Sequence, residues 1–360
     1  MNVPPGKFIV LSALCLLLVS CAQTGPPLPP SLELPRPPSD LRARRKGNTV
    51  TLTWSEPTLT TDGQSVRLLG VTRICRTAQT EMTACGSPAG EGAAPQDRAA
   101  PSGPAKRQSF TDSLPAAVLE QDPTGEVTYA VEVLNRDGRG AGLSNQVHVL
   151  AVPTLAPPEN PTVELTREGV VVSWASAGET TSVPGVQHRY RIYRREDGSE
   201  KELIAGEVPA GEAGPQRLVD SSIEWEKTYL YWITAVSIVT RSGSSAQVEG
   251  EDSAPLRIAA HDVFPPAVPS GLQAATSGEG QKPFIDLIWA PVADADLAGY
   301  NVYRREVKGV AAKLNSELVK SPAYRDSAVS AGTTYLYSVS AVDIRGNEGE
   351  RSQEASESVP

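Results

Sequence analysis

Histidine, phenylalanine and methionine are scarce in this chain of 360 residues, which has three, four and two of them. The histidines, His148, His188 and His261, lie far apart, and none is spaced with a cysteine or a second histidine as metal ligands are. The chain also has no G-x-S-x-G, no H-E-x-x-H and no glycine-rich phosphate loop. We therefore expect no enzyme, no catalytic residues, no metal site and no cofactor.

An excess of basic charge is also missing, because 33 Lys and Arg face 42 Asp and Glu, for a formal net charge of −9. Nucleic-acid binding requires a basic face, so we expect no nucleic-acid partner. One basic cluster, from Arg42 to Lys46, is the exception. It either touches anionic lipid headgroups or forms an ordinary solvated strand and turn.

The nearly unbroken apolar stretch from Phe8 to Val19 has twelve residues, whereas a membrane-spanning helix needs about 20. Its position after Lys7 is typical of a signal peptide, here residues 1–20. The ending Leu18-Val19-Ser20-Cys21 resembles a bacterial lipobox. The resemblance implies a lipid anchor on Cys21 and a place in the bacterial cell envelope, in the outer membrane if the host is Gram-negative. The alternative is an ordinary secretory signal.

Proline is concentrated between the candidate lipid site and the rest of the chain, in residues 21–38. Such a segment has too little apolar surface to fold alone. We interpret it as an extended polyproline-like tether.

Aromatic residues make up only 5% of the chain, but they recur in step. The segment Tyr190–Glu196, YRIYRRE, returns after 110 residues as Tyr300–Glu306, YNVYRRE, with a degenerate copy at Thr72–Arg76. A period this long indicates one whole domain repeated three times. Alternating apolar runs that end at Trp54, Trp174 and Trp289 and later runs that open at Tyr129, Tyr229 and Tyr335 mark strands in each copy.

Turn residues separate these runs, and no helical periodicity follows residue 20, so the pattern predicts all-β sandwiches. The third copy, with Trp289, the run Asp294–Tyr303 and the run Tyr335–Glu348, resembles the fibronectin type III domain. The resemblance covers residues 39–360. It implies a buried Trp on the second strand of each domain and a "tyrosine corner" at the start of the sixth strand.

Proline clusters place the domain boundaries at 39–152, 153–262 and 263–360. Stiff joints of this kind favour an extended rod. The first domain departs from the pattern, because Cys75 stands where Tyr193 and Tyr303 stand. It also has an enlarged loop at Ala78–Lys106.

Cysteine is limited to four residues, of which Cys15 is in the signal peptide and Cys21 is the candidate lipid site. Cys75 and Cys85 remain, and an exported compartment permits a disulfide between them. Two free thiols are the alternative.

The sharpest candidate for binding is an aromatic face on the second domain. Strand alternation turns Tyr193 and Trp232 outward on neighbouring strands, flanked by Arg191 and Arg195. Such a face can stack on sugar rings or anchor a protein partner, but it can equally be a cross-strand pair that stabilises the sheet.

Two other features have packing interpretations. Trp225 is expected to pack over the tyrosine corner, and the pairs Arg194-Arg195 and Arg304-Arg305 to balance acidic neighbours at the surface. We therefore expect a non-catalytic adhesion or interaction scaffold, held at a membrane by its lipid, with a protein or polysaccharide partner. The alternative is a carbohydrate-binding accessory protein that uses the aromatic face.

Overall fold

The computed structural model describes residues 32–95, 105–176, 178, 183–211, 213–241, 243–278 and 280–360. The predicted signal peptide, Cys21 and most of the predicted tether lie outside the described residues. The chain divides into two compact units, Met1–Ala151 and Val152–Pro360. Across the described ranges, no helix is long and apolar enough to cross a membrane.

The first unit holds one sandwich of two antiparallel sheets, in the strand orders β1-β2-β5 and β4-β3-β6-β7. Its elements are β1 (Arg42–Lys46), β2 (Thr49–Ser55), β3 (Leu69–Thr77), β4 (Gly90–Gly92), β5 (Arg107–Ser113), α1 (Ala116–Gln121), β6 (Glu126–Asn135) and β7 (Val147–Leu150).

The second unit begins with a sandwich whose smaller sheet has the order β8-β9-β12. In the larger sheet, β13 pairs with β10, β14 and β15, and β11 is added beyond β10. The strands are β8 (Thr162–Thr166), β9 (Gly169–Ser176), β10 (Val186–Glu196), β11 (Glu202–Pro209), β12 (Gly214–Asp220), β13 (Thr228–Arg241), β14 (Ser244–Asp252) and β15 (Leu256–Ala259).

The third sandwich has the sheets β16-β17-β20 and β19-β18-β21-β22. Its strands are β16 (Ser270–Thr276), β17 (Ile285–Ala290), β18 (Leu297–Glu306), β19 (Ala312–Lys313), β20 (Ala323–Asp326), β21 (Thr334–Asp343) and β22 (Ala355–Ser358). The predicted fold class, all-β with three tandem fibronectin type III-like sandwiches, is confirmed by these sheets.

Each sandwich has its own core, built from the residues that alternate inward on facing strands. The marker tryptophans Trp54, Trp174 and Trp289 are all buried in these cores. Trp174 and Trp289 meet Tyr190 and Tyr300 edge to face, with ring centroids 5.6 and 5.2 Å apart. This geometry suits the charge distribution of aromatic rings, so the repeated Trp and Tyr stabilise the core.

A buried ion pair, which the sequence analysis missed, repeats in all three sandwiches. In the second, the Asp220 carboxylate accepts hydrogen bonds from Arg194 at 2.7 Å and from the Tyr231 hydroxyl at 2.8 Å. The other two sets are Asp112 with Arg76 and Tyr129, and Asp326 with Arg304 and Tyr337. Arg194 and Arg304 therefore bind buried carboxylates, and the expectation that they balance surface charge was wrong.

These ion pairs also correct the alignment of the first sandwich. Tyr129 occupies the place of Tyr231 and Tyr337, because all three hydroxyls donate to the buried aspartate. The tyrosine-corner hydroxyls belong instead to Tyr229 and Tyr335, which accept hydrogen bonds from backbone N–H groups five residues earlier. Two residues before Tyr129, the first sandwich has Val127, so it lacks the corner hydrogen bond.

The end of the predicted tether belongs to the first sandwich. The Arg36 N–H donates to the Leu59 carbonyl at 3.0 Å, the Thr61 N–H donates to the Leu34 carbonyl at 2.9 Å, and Pro35 is buried. The expectation of a solvated polyproline segment up to residue 38 is therefore corrected from residue 32 onward. Backbone pairing with the loop after β2 supplies the contacts that the segment lacks by itself.

Two local features of the first sandwich differ from the expectation. A short helix, Ala116–Gln121, follows Pro115 although no helical periodicity is visible there; six residues are too few to show one. The enlarged loop is not wholly irregular, because its residues Gly90–Gly92 form β4 against β3.

Candidate functional site

Cys75, Tyr193 and Tyr303 occupy one position of the fold. Each immediately precedes the arginine of the buried ion pair, and their cross-strand partners are Ala130, Trp232 and Ser338. The residue at this position of the larger sheet, and the side chain that packs on it, differ between the three sandwiches.

In the first sandwich, Cys75 is bonded to Cys85, with the two Cα atoms 5.2 Å apart. The bond lies beside buried Met82 and Ala130. It fixes the start of the enlarged loop against the sheet, while residues 96–104 of that loop lie outside the described residues.

In the second sandwich, Tyr193 and Trp232 lie directly opposite each other on β10 and β13. Their rings form an offset stack, with centroids 5.4 Å apart and planes at 13°. The Tyr193 hydroxyl donates to the Glu249 carboxylate at 2.5 Å. Burial and this hydrogen bond raise the pKa of Tyr193. Each ring therefore covers one face of the other, and both side chains are half-buried.

Arg191 flanks this pair, with Nη1 3.4 Å from the Tyr193 hydroxyl oxygen, and it is also held by two carboxylates. It is buried, and it donates to Glu207 at 2.7 Å and to Glu249 at 2.8 Å. Burial lowers the pKa of Arg191, but its hydrogen bonds to Tyr193 and Glu207 outweigh burial and raise it. Arg195 is more accessible, and its guanidinium carbon lies 5.8 Å from the centre of the Trp232 ring.

In the third sandwich, Tyr303 is covered by a cation instead of a ring. The Arg351 guanidinium carbon lies 3.6 Å from the centre of the Tyr303 ring, and the Tyr303 hydroxyl donates to Glu348 at 2.5 Å. The second and third sandwiches thus share a tyrosine whose hydroxyl binds a glutamate and whose ring is covered by a neighbour.

Trp225 packs against the second core, as expected, and it also meets Phe264 of the segment that leads to the third sandwich, with ring centroids 6.1 Å apart. The joint inside this unit is fixed by side chains that bind backbone carbonyls. Arg167 donates to the Pro265 carbonyl at 2.5 Å, and Asn347 donates to the Asp262 carbonyl at 3.0 Å.

At the same joint, carboxylate oxygens of Asp262, Asp296 and Asp343 lie within 4.8 Å of one another. Oxygen ligands of this kind suit hard cations such as Ca²⁺. Asp343 is already occupied in a turn, where it accepts the N–H groups of Arg345 and Asn347 at 2.8 Å. Gly346 completes the turn with φ of 89°.

The three histidines each bind a different neighbour: His148 Nδ1 lies 3.0 Å from Thr128 Oγ1, His188 Nδ1 lies 2.9 Å from Ser237 Oγ, and His261 Nδ1 lies 2.8 Å from Glu226 Oε2. No two of them share a site in the described part of the chain. The half-buried arginines Arg195 and Arg305 face Glu202 and Glu354 at the surface, in agreement with the surface-charge interpretation.

Comparison with known proteins gives partial matches, and no family model matches the chain. An amylopullulanase of Thermoanaerobacterium saccharolyticum is 40% identical over 91 residues, which is 25% of this chain and 7% of that protein. Exoglucanase B of Cellulomonas fimi is 26% identical over 270 residues, which is 68% of this chain and 21% of that protein. A poly(3-hydroxybutyrate) depolymerase of Delftia acidovorans is 38% identical over 92 residues, or 26% of this chain and 17% of that protein.

Among solved structures, the chicken CNTN1 FN1–FN3 domains are 17% identical to this chain, with 91% of this chain and 99% of that one covered at a TM-score of 0.25. A Fn3-like protein from Clostridium thermocellum is 33% identical over 26% of this chain and 94% of that chain, at a TM-score of 0.23. The chain spans no more than about a fifth of these curated relatives. Its similarity to those enzymes is therefore a similarity to a small part of each.

Proposed function

We propose that this protein is a non-catalytic interaction scaffold of the bacterial cell envelope, held at a membrane by a lipid on Cys21. The observation that carries the proposal is the use made of its buried ionisable groups. Asp112, Asp220 and Asp326 all serve the same structural ion pair, each bound by an arginine and a tyrosine of its own core. Small matched parts of large enzymes agree with an accessory role.

The anchor is tested by feeding cells a clickable fatty acid and comparing the wild type with Cys21→Ser. We expect fatty-acid label and membrane fractionation in the wild type, and loss of both in the variant. Unlabelled wild-type protein that is secreted whole would contradict the anchor and favour the ordinary secretory signal.

The absence of catalysis is tested on the same preparation with amylose, pullulan, cellulose and poly(3-hydroxybutyrate), the polymers suggested by the names of the relatives. We expect no release of reducing sugar or hydroxybutyrate. Release that scales with protein concentration, and disappears with an Asp220→Asn or Asp326→Asn variant that remains folded, would overturn the proposal.

The scaffold role is tested by photo-cross-linking in intact cells. A photoreactive residue at Val310, which is 93% exposed, samples the third sandwich without disturbing a core. We expect discrete adducts with envelope components. The same residue at Ile288, which is 55% exposed on the smaller sheet, is the matched control for random collisions.

A second candidate function, carbohydrate binding, is favoured by the names of the relatives, which include an amylopullulanase and an exoglucanase. Its predicted site was the pair Tyr193 and Trp232 with Arg191 and Arg195. In the structure these two rings stack on each other and Arg191 is held by Glu207 and Glu249, so less of this face is free for a sugar ring.

A further inference from the structure

A cleft of about 270 Å³ lies between the second and third sandwiches, within the second compact unit. Trp225 and Phe264 supply its aromatic side, with ring planes at 58°. Asp294, Asp296 and Arg345 of the third sandwich supply polar groups. Small-ligand sites are often found at domain interfaces, with apolar walls and a few polar groups, and volumes from about 300 Å³. At about 270 Å³ the cleft is slightly smaller than that range, so it suits a ligand no larger than about one sugar ring.

Trp225 packs against the second core, but the third sandwich has no ring at the equivalent place. The hydroxyls of Tyr229 and Tyr335 accept hydrogen bonds from Glu224 and Ser330, so the residues that follow those two donors are equivalent. In the third sandwich that place is taken by Ala331, which is exposed. The second sandwich thus carries a large aromatic ring where the third has an alanine, and the ring lines the cleft.

Asp296 is the polar group of the cleft with no structural task. Its carboxylate makes no hydrogen bond or ion pair with any described residue, although it lies within 4.8 Å of two other carboxylates. Bringing like charges together costs free energy, and the hydrogen bonds that offset it go to Asp343 and Asp262, not to Asp296. By contrast, Asp294 Oδ2 accepts the Ala267 N–H at 2.5 Å.

The cleft is also held in shape before any ligand arrives. The hydrogen bonds of Arg167 to Pro265 and of Asn347 to Asp262 join the second sandwich, the connecting segment and the third sandwich. A site that is ordered in advance loses less conformational entropy on binding.

We infer that this cleft binds one sugar ring of a neutral polysaccharide. The apolar C–H face of a pyranose packs on Trp225, and neighbouring hydroxyls of the same ring donate to Asp296 and accept from Arg345. The carboxylates disfavour a phosphate or an acidic sugar. The inference rests on the carbohydrate-binding candidate above and moves its site from the Tyr193–Trp232 pair to the joint.

The test is isothermal titration of the full-length protein, in a detergent without a sugar headgroup, with maltohexaose and with cellohexaose. We expect saturable binding of at least one of them, weakened tenfold or more by Trp225→Ala. Trp232→Ser, which introduces the residue found at position 338 of the third sandwich, is the matched control and leaves affinity unchanged.

Asp296→Asn is a second variant that tests the cleft independently, in case Trp225→Ala fails to fold. Because Asp296 has no partner in the described chain, this change leaves the thermal midpoint unchanged or raises it, while it weakens binding several-fold. Wild-type affinity in both Trp225→Ala and Asp296→Asn overturns the inference. Loss of binding in Trp232→Ser alone also overturns it, but leaves the protein a carbohydrate binder. No binding by the wild type overturns both and leaves the scaffold proposal intact.

Discussion

The second and third sandwiches carry a tyrosine at the same place on their larger sheet, and they cover it in different ways. Tyr193 is stacked on Trp232, whereas Tyr303 lies under the guanidinium of Arg351. Both hydroxyls donate to a glutamate, Glu249 or Glu348. The first sandwich has no tyrosine there and uses the disulfide of Cys75.

In all three sandwiches another group packs over the side chain at this position, but the chemical type of that group differs from one sandwich to the next. An aromatic ring, a cation and a disulfide all shield the sheet at this point. Packing is therefore a sufficient reason for the Tyr193–Trp232 pair. Trp225 differs from that pair, because its equivalent in the third sandwich is the exposed Ala331, although Trp225 itself packs against the second core.

The largest effect is expected at the feature that all three sandwiches share. Asp220→Ala leaves Arg194 and Tyr231 buried without their acceptor, which costs about 3–5 kcal/mol of unfolding free energy. Asp326→Ala does the same to the third sandwich. Hydrogen exchange resolved by peptide should show faster exchange in β13 for the first variant and in β21 for the second. Protection equal to the wild type in both would show that the ion pairs are dispensable.

The next largest effect concerns the disulfide. Replacing Cys75 and Cys85 together with Ser removes a constraint on the unfolded chain, and closing a loop of this size contributes about 2–3 kcal/mol. The urea midpoint of the first sandwich should fall, and reductant should lower the wild-type midpoint to the same value. A reductant-sensitive midpoint in the double variant would contradict this assignment.

A smaller loss of unfolding free energy is expected from removing the group that packs on Tyr193 or on Tyr303, and its size should differ between the two. Trp232→Ser should reduce the unfolding free energy of the second sandwich by about 1–2 kcal/mol, because it removes a stacked ring and its buried area. Arg351→Ala should cost the third sandwich about 0.5–1 kcal/mol, as expected for an exposed cation on a ring. Urea unfolding of each variant measures both, and equal losses would remove the proposed distinction.

The smallest effect depends on pH. Burial raises the pKa of Glu207, but its hydrogen bonds from Arg191 and Arg189 outweigh burial and hold the pKa below its usual value. The stabilisation is therefore complete above the unfolded pKa of about 4.3 and is lost as pH falls through the lower folded pKa. The difference in midpoint between wild type and Glu207→Gln should stay constant from pH 7 to 5 and narrow below pH 4.

Much of this structure follows from local patterns in the chain. Alternation and the YRIYRRE repeat predicted the sandwiches and the opposition of Tyr193 and Trp232, because side-chain direction has a period of two along a strand. What alternation does not give is the partner of a charged group. Arg191 and Arg194 differ by three positions, so one lies on each face, yet both are buried in ion pairs whose acceptors are 16 or more residues away.

A signal for the buried aspartates was present. An Asp stands eleven residues before Tyr231 and before Tyr337. The same spacing fails in the first domain, where 17 residues separate Asp112 from Tyr129 because α1 is inserted between them. The joint between the second and third sandwiches could not be predicted from the sequence. Its residues, Phe264, Asn347 and Arg167, come together only when two sandwiches pack against one connecting segment.

The most direct measurement of the central comparison is a double-mutant cycle on Tyr193→Ala and Trp232→Ala, read by urea unfolding of the second sandwich. If the rings serve packing, they are coupled. The sum of the two single-variant losses of unfolding free energy then differs from the loss in the double variant by about 0.5–1.5 kcal/mol. A coupling near zero, with both single variants as stable as the wild type, would mean that the fold does not need this pair, and the packing account would be contradicted.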